Sequence, residues 1–208
     1  MEGAKATLYD TSEVTLNAIA VLPFRQASHE DVSGGVVRCP LCGLIFQVDK
    51  ISGRPEEVVE DIFMDHLQRV RRVHLIPSEK IKTVYDSALS GANKTAYPDM
   101  ICRIGRELNA DAVVVGHLYR FRQRVGYPYS VKQPASVMFH IHFVRVIDGA
   151  VIWTGDLDKT QKSLMEDVLQ LPFFCRGKGR WLTAEELAEE GIREILKNFP
   201  ATGKNYFH

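Results

Sequence analysis

The residues with the clearest chemical potential are the two cysteines of the segment RCPLCG. Cys39 and Cys42 are separated by two residues, and Gly43 follows them. Two thiolates at this spacing can face one metal ion, with a glycine relieving the turn behind them. A structural zinc site takes four ligands, and no second CxxC pair occurs in the sequence. The remaining ligands would have to come from elsewhere in the chain, and the candidates are Cys102 or Cys175 with a histidine such as His29.

The same cysteine pair has two other uses. A disulfide between Cys39 and Cys42 would close a tight loop, a spacing that thiol-exchange proteins employ. Those enzymes place CxxC at a helix start, whereas this pair lies in a glycine-rich loop before an apolar stretch, which favours a structural disulfide over catalysis. Two reduced thiols packed in a loop are the third alternative. The sequence leaves zinc, a disulfide and packed thiols open.

Histidines provide a second candidate cluster. His140 and His142 alternate in FHIHF, so both imidazoles project from one face of a predicted strand, opposite the aromatic and aliphatic side chains between them. His117, on the preceding predicted strand, is a candidate cross-strand neighbour. Three histidines could hold a metal, but histidines on the polar face of a half-covered sheet are more often ordinary surface residues. The pattern therefore favours exposed histidines.

Three arginines also alternate, at Arg120, Arg122 and Arg124. They form one basic edge that could bind phosphate, an acidic partner protein or anionic lipid. A solvated strand face that protects a sheet edge is the simpler interpretation. Nucleic acid is not an expected partner, because 26 basic residues are balanced by 26 acidic ones and the segment lacks a clear set of aromatic stacking residues.

Signatures of catalysis are missing from the sequence. Neither a phosphate-binding GxxxxGK[ST] loop nor a GxSxG nucleophile motif occurs. Asp156 and Asp158 alternate on a predicted strand that ends a hairpin, and the glutamates from 185 to 190 lie in early helix turns, where negative charge is favourable. We therefore expect that the protein is not an enzyme and binds no cofactor. The alternative is a zinc-binding or thiol-redox protein that uses Cys39 and Cys42.

Hydrophobic periodicity predicts the elements that must position these residues. The predicted strands are Val14–Phe24, Val73–Ile76, Ala112–Arg124, Val137–Ile147 and Val151–Leu157. Helices are predicted to start at Pro55, Pro77, Pro98 and Thr183, the last with a capping box to Glu186. Asp148-Gly149 predicts a hairpin turn. This order predicts an α/β sandwich, in which a mixed, mostly antiparallel sheet is packed with helices.

A chain of 208 residues fits one domain. We predict a flexible N-terminal segment at 1–13, a single α/β domain at 14–200 with a loop insertion at 26–53, and a tail at 201–208. No stretch reaches the about 18 consecutive apolar residues of a membrane span, and the first residues lack the features of a secretory signal. A trimmed export leader remains compatible with this start.

Three segments together resemble a known family. They are IAVLPF at 19–24, IGRELNADAVVVGHL at 104–118 and VRVIDGAVIWTGDL at 144–157. Their order and spacing are similar to those in the amino-terminal domain of TolB and in the related curli-secretion and penicillin-binding-protein-activator lipoproteins of bacterial envelopes. The family's pattern does not include the 26–53 insertion with RCPLCG or the extended hairpin around 127–134. A specific function is expected to lie in those two departures.

The resemblance implies a non-enzymatic module that binds other envelope proteins. It places the protein in the periplasm or at the periplasmic face of the outer membrane, with membrane contact only through a lipid anchor that this chain does not contain. The cytoplasm is the alternative location. A subunit of a larger oligomeric ring or pore is a third and weaker alternative, by analogy with the curli-secretion proteins. The resemblance supplies no catalytic residue.

Overall fold

One seven-stranded mixed sheet organises the chain in a computed structural model that describes residues 3–9, 16–27, 34–49, 51, 53–70, 74–90, 96–161 and 180–200. The described strands are β1 (Gly3–Leu8), β2 (Ala18–Val21), β3 (Arg25–Gln26), β4 (Val36–Arg38), β5 (Ile45–Gln47), β6 (His74–Leu75), β7 (Ala112–Arg122), β8 (Val125–Tyr127), β9 (Ser130–Gln133), β10 (Ser136–Arg145) and β11 (Val151–Thr160). The described helices are α1 (Pro55–Val70), α2 (Ser78–Ser90), α3 (Tyr97–Glu107) and α4 (Ala184–Leu196).

The main sheet runs in the order β1-β11-β10-β7-β2-β6. Strands β1, β11, β10 and β7 pair antiparallel, whereas β2 pairs parallel with both β6 and β7. Strand β3 continues beside β7 after an interruption that contains Pro23, a residue with no backbone N–H to donate to a ladder. The predicted class, a mixed and mostly antiparallel sheet packed with helices, is confirmed.

Each face of the sheet carries its own pair of helices. Helices α1 and α4 share one hydrophobic cluster with Phe139, Ile141 and Phe143 of β10. Helices α2 and α3 share a second cluster with Val113 and Val115 of β7. Because successive side chains of a strand point to opposite faces, β7 and β10 contribute alternate residues to the two cores.

A small hairpin covers the remainder of the second face. Strands β4 and β5 pair antiparallel, with Val37 opposite Phe46. Phe46 stacks on Tyr119 of β7 with ring centroids 4.3 Å apart, and Asp49 donates its backbone N–H to the carbonyl of Tyr119 at 3.2 Å. The segment predicted as a loop insertion with one short extended piece therefore contains two paired strands that pack onto the sheet.

The predicted flexible segment at 1–13 needs correction where it is described. Gly3–Leu8 forms β1, which pairs with β11 from Gly3 opposite Asp158 to Leu8 opposite Trp153. Small and polar residues without strong periodicity concealed this edge strand. The predicted tail at 201–208 lies outside the described residues.

The other predicted strands and helix starts match the structure to within three residues, whereas the strand predicted at Val14–Phe24 is shorter in its described part, as β2 (Ala18–Val21). The capping box is present, since the Thr183 side chain accepts the N–H of Glu186 and the Glu186 carboxylate accepts the N–H of Thr183. The hairpin between β10 and β11 turns at Gly149, which has a φ of 73°. None of the described helices is long and apolar enough to cross a membrane.

Candidate metal centre

The turn between β4 and β5 presents two thiols on one side. Cys39 donates its N–H to the carbonyl of Leu44 at 2.7 Å, and Gly43 donates to the carbonyl of Cys39 at 3.0 Å. Gly43 has a φ of 74°, a left-handed conformation that side chains disfavour. This tight turn, which we call the knuckle (Cys39–Leu44), holds Cys39 buried and Cys42 at the surface.

Beneath the knuckle lie the alternating histidines of β10. His140 is 2% exposed and His142 is fully buried, with ring centroids 4.1 Å apart. Both project from the face opposite the first hydrophobic core, as the alternation predicts. The expectation that they would be ordinary surface residues is wrong, because the β4–β5 hairpin covers them.

The two cysteines and the two histidines converge on one point. One ligand atom from each of Cys39, Cys42, His140 and His142 lies within 4.8 Å of all the others. Cys39 Sγ is 3.6 Å from His142 Nε2, and Cys42 Sγ is 3.8 Å from His140 Nδ1. A tetrahedral zinc ion with its usual bond lengths separates a sulfur and a nitrogen ligand by about 3.5 Å. The geometry therefore matches a Cys2His2 metal centre.

Burial keeps the two imidazoles neutral at pH 7. It lowers the pKa of His140 to about 4, and it lowers the pKa of His142 to about 2, with added repulsion from His140 and His117. A neutral imidazole offers the lone pair that a metal requires.

The pKa of Cys42, the more exposed thiol of the pair, is shifted in the opposite direction. Partial burial raises the pKa of Cys42 to about 11, and the neighbouring Cys39 contributes to the rise. Thiols in such surroundings hold their protons unless a cation compensates the thiolate charge. A divalent ion at the point of convergence would supply that charge.

Some buried polar atoms without hydrogen-bond partners lie near the cluster. Among the described residues, these include His117 Nδ1 and His142 Nδ1. Burial raises the pKa of the Tyr119 hydroxyl, as does the nearby Cys39. A buried polar atom without a partner costs about 1–3 kcal/mol.

The other candidate ligands do not join this cluster. His117 lies beside it, with its ring centroid 6.1 Å from that of His142 and 5.7 Å from that of Tyr97. Cys102 belongs to the hydrophobic cluster of α2 and α3. His29 and Cys175 lie outside the described residues.

The three arginines of the predicted basic edge contact other residues of this chain. Arg120 forms an ion pair with Asp158 and donates Nε to Ser136 Oγ at 2.7 Å, and Arg122 pairs with Asp49 at 3.2 Å. Arg124 lies beyond the end of β7 and donates to the carbonyl of Gly126 at 2.8 Å. Two of the three guanidinium groups thus have a carboxylate of this chain as partner, while a role in partner binding stays a prediction.

In the sequence, the cysteine pair and the histidine pair are about 100 residues apart and form two separate candidate sites. The signal that could have joined them is the HxH pattern on the strand face opposite the core, combined with a CxxC turn in an insertion. Both halves of a Cys2His2 set were visible, but their spatial proximity depends on how the insertion folds back.

Comparisons with known proteins place the fold. No known protein family matches the sequence, and no curated protein matches it. The solved PelC dodecamer from Paraburkholderia phytofirmans is similar with a TM-score of 0.51 and 13% identity, over 95% of this chain and 98% of that chain. A second PelC dodecamer structure from the same organism has a TM-score of 0.50 and 14% identity, over 93% and 95% of the two chains.

A weaker likeness involves the lipoprotein GNA1162 from Neisseria meningitidis, with a TM-score of 0.45 and 11% identity over 78% of this chain and 94% of that chain. At these identities the likeness concerns the fold. The fold implied by the sequence resemblance to bacterial envelope lipoproteins is therefore confirmed.

Proposed function

We propose that Cys39, Cys42, His140 and His142 bind one structural zinc ion, and that the chain is a non-enzymatic module held together by it. The convergence of these four side chains carries the proposal. Two thiolates and two imidazoles form a donor set typical of zinc, whereas magnesium and calcium prefer oxygen ligands. Four protein ligands leave no open position for a substrate, which favours a structural role over catalysis.

The proposed ion would join two parts of the chain that are distant in sequence. The thiols belong to the hairpin β4–β5, whose own ladder contains three residue pairs. The imidazoles belong to β10, a central strand of the main sheet. A hairpin of this size is marginal alone, so the metal would supply much of the free energy that holds it against the sheet.

Metal analysis of the purified protein tests the proposal. We expect one zinc per chain after purification with a thiol reductant and without chelator, and cobalt substitution should give the visible absorption of a tetrahedral site with sulfur ligands. The double variant C39S/C42S should lose the metal. The variant Cys102→Ser is the matched control, since Cys102 lies in a different cluster, and it should retain zinc. A folded wild-type chain that takes up no zinc or cobalt would contradict the proposal.

Counting thiols separates zinc from the disulfide alternative. A zinc site protects Cys39 and Cys42 from alkylation until a chelator is added, and it leaves the mass of the chain unchanged after the metal is removed. A disulfide between them lowers the mass by two hydrogens and leaves the thiols unreactive even in chelator. That second result would mean that a disulfide, and not a metal ion, closes the knuckle.

A second candidate function concerns location and partners. We propose that the chain acts in the bacterial cell envelope, in the periplasm or at the periplasmic face of the outer membrane, by binding other envelope proteins or further copies of itself. The three sequence segments that resemble envelope lipoproteins support this proposal. Likeness of fold to a protein solved as a dodecamer, over nearly the whole of both chains, adds support.

Cell fractionation and native mass test this second candidate. We expect the protein in the envelope fraction of its own cells, with in-cell cross-links to envelope proteins or a native mass that is a multiple of one chain. A monomer found only in the cytosol, without such cross-links, would contradict it.

A further inference from the structure

Beside the metal centre lies a cavity of about 260 Å³. Its lining comes from three parts of the fold: β3 and the residue after it, the hairpin at Val37–Pro40, and the aromatic residues Tyr97, His117 and Tyr119. Pockets for drug-sized ligands measure about 300–1,000 Å³, so this cavity suits a smaller molecule.

Two arginines give the cavity its charge. Arg25 and Arg38 both line it, and no described carboxylate forms an ion pair with either of them. This distinguishes them from Arg120 and Arg122, which pair with Asp158 and Asp49. Guanidinium groups offer planar pairs of donors that match carboxylate and phosphate oxygens.

The start of a helix lies beside the cavity. Tyr97 is the first residue of α3, and the preceding Ala96 provides no side-chain cap for the free N–H groups of the first turn. Since Tyr97 lines the cavity, the amino-terminal end of α3 lies beside it. Asp99, the acidic residue of that turn, is not among the lining residues.

Aromatic rings also line the cavity, next to these charges. The ring of His117 lies edge-on to Tyr97 at 5.7 Å and stacked with Tyr119 at 6.4 Å between centroids. The Arg25 guanidinium already lies over the Tyr97 ring, 5.9 Å from its centroid. A flat or apolar body can pack against these lining rings, while its charged group meets the arginines.

We infer that this cavity binds a small molecule in which a carboxylate or phosphate group is attached to a flat, weakly polar body. Part of the inference rests on the proposed zinc site. Val37, Arg38 and Pro40 flank Cys39, so the metal that fixes the knuckle also fixes one wall of the cavity. Ligand binding should therefore weaken when the metal is removed.

Calorimetry on the full chain loaded with zinc tests the inference, with benzoate, phenyl phosphate and inorganic phosphate as separate probes. We expect benzoate or phenyl phosphate to bind at millimolar concentration or better, and the stronger of the two identifies the oxyanion. Tighter binding of inorganic phosphate than of either aromatic probe would overturn the aromatic part of the inference.

Substitution of the arginines gives the sharper test. R25Q and R38Q should each weaken binding of the better probe about tenfold or more, since a charge-assisted hydrogen bond is lost. The control R69Q removes an exposed arginine of α1 that pairs with Asp65, and it should bind like the wild type. Equal binding by R25Q, R38Q and R69Q, or no binding of any probe by the zinc-loaded wild type, would overturn the inference.

Zinc content measured on the same samples separates the two proposals. Zinc-loaded chains that bind no probe refute the ligand site alone. Chains that bind the probe through Arg25 and Arg38 but take up no zinc support the ligand site and refute the metal centre. Probe binding that weakens on chelation and returns with zinc supports both.

Discussion

Cys39 Sγ lies 3.6 Å from His142 Nε2, although 103 residues separate the two in the chain. The contact joins an insertion to a central strand of the sheet. A sulfur and an imidazole nitrogen at this distance fit two ligands of one tetrahedral ion. The CxxC segment and the HxH strand are each ambiguous alone. Because the two lie in contact, they form one candidate metal centre.

Loss of a single ligand should release the metal. We expect His142→Ala to reduce bound zinc from one per chain to a small fraction, because three ligands hold zinc much less tightly than four. Zinc measured after gel filtration checks this. His66→Ala provides the control, since His66 lies on α1 beside Glu189 and away from the cluster. Unchanged zinc content in the His142 variant would place the metal elsewhere.

Removal of the metal should lower stability. A ligand present at about 1,000 times its Kd stabilises the folded state by about 4 kcal/mol, so a chelator should lower the free energy of unfolding by a similar amount. Urea denaturation with and without chelator measures the change, and added zinc should restore it. The variant C39S/C42S should show no response to chelator. A wild-type chain with equal stability in both conditions would count against a structural metal.

Acid should destabilise the metal-free protein through its buried histidines. The pKa of His140 is about 4 in the folded chain and about 6.5 when unfolded, so the unfolded state binds more protons as the pH falls below 6.5. The stability associated with a neutral His140 is therefore complete above pH 6.5 and is lost as the pH falls toward 4. The titration of His140 alone should lower the free energy of unfolding by about 2 kcal/mol between pH 7 and pH 5.

Denaturation of the chelated wild type and His140→Gln at both pH values isolates this effect. Burial raises the pKa of Glu60 and Asp156, which changes stability in the opposite sense, but these carboxyl groups are common to both proteins. The glutamine variant should lose less stability on acidification than the wild type. Parallel losses would show that His140 titrates normally in the folded chain.

Gly191 should not tolerate a side chain, although it lies inside α4. A Cβ at this position would come within 2.5 Å of Leu157, whose side chain is 1% exposed and lacks room to move. Overpacking lowers the free energy of unfolding by about 1–3 kcal/mol, while the higher helix propensity of alanine raises it by about 1 kcal/mol. We expect Gly191→Ala to destabilise the protein by about 1 kcal/mol net in urea denaturation.

An exposed helix position provides the comparison for Gly191. Ser87→Ala on α2 adds helix propensity without a packing conflict, and it should leave stability unchanged or raise it by a few tenths of a kcal/mol. A Gly191→Ala variant more stable than the wild type would mean that α4 packs less closely on β11 than the structure indicates.

Much of the fold was predictable because its signals are local. The capping box at Thr183, the proline at the start of α1 and the turn at Gly149 each depend on a few adjacent residues. The alternation in FHIHF correctly placed both imidazoles on the face away from the first core. Strand β1 consists of small and polar residues that are stabilised by the partner strand and have little pattern of their own. Strand β4 has only three residues, which is too short for a period of two to be visible.

The sequence by itself determined the donor types, the spacing of the two thiols, the shared face of the two imidazoles and the α/β class, all of which follow from covalent spacing and local periodicity. Only the tertiary structure decided that the thiols of Cys39 and Cys42 lie over the histidines, whereas Cys102 lies in a different cluster. It also decided that Arg120 pairs with Asp158 within the chain, while Arg25 lines a cavity. These relationships depend on strand register and on the packing of Phe46 against Tyr119. Contacts between residues about 100 positions apart are set by the packed chain as a whole, and no local pattern encodes them.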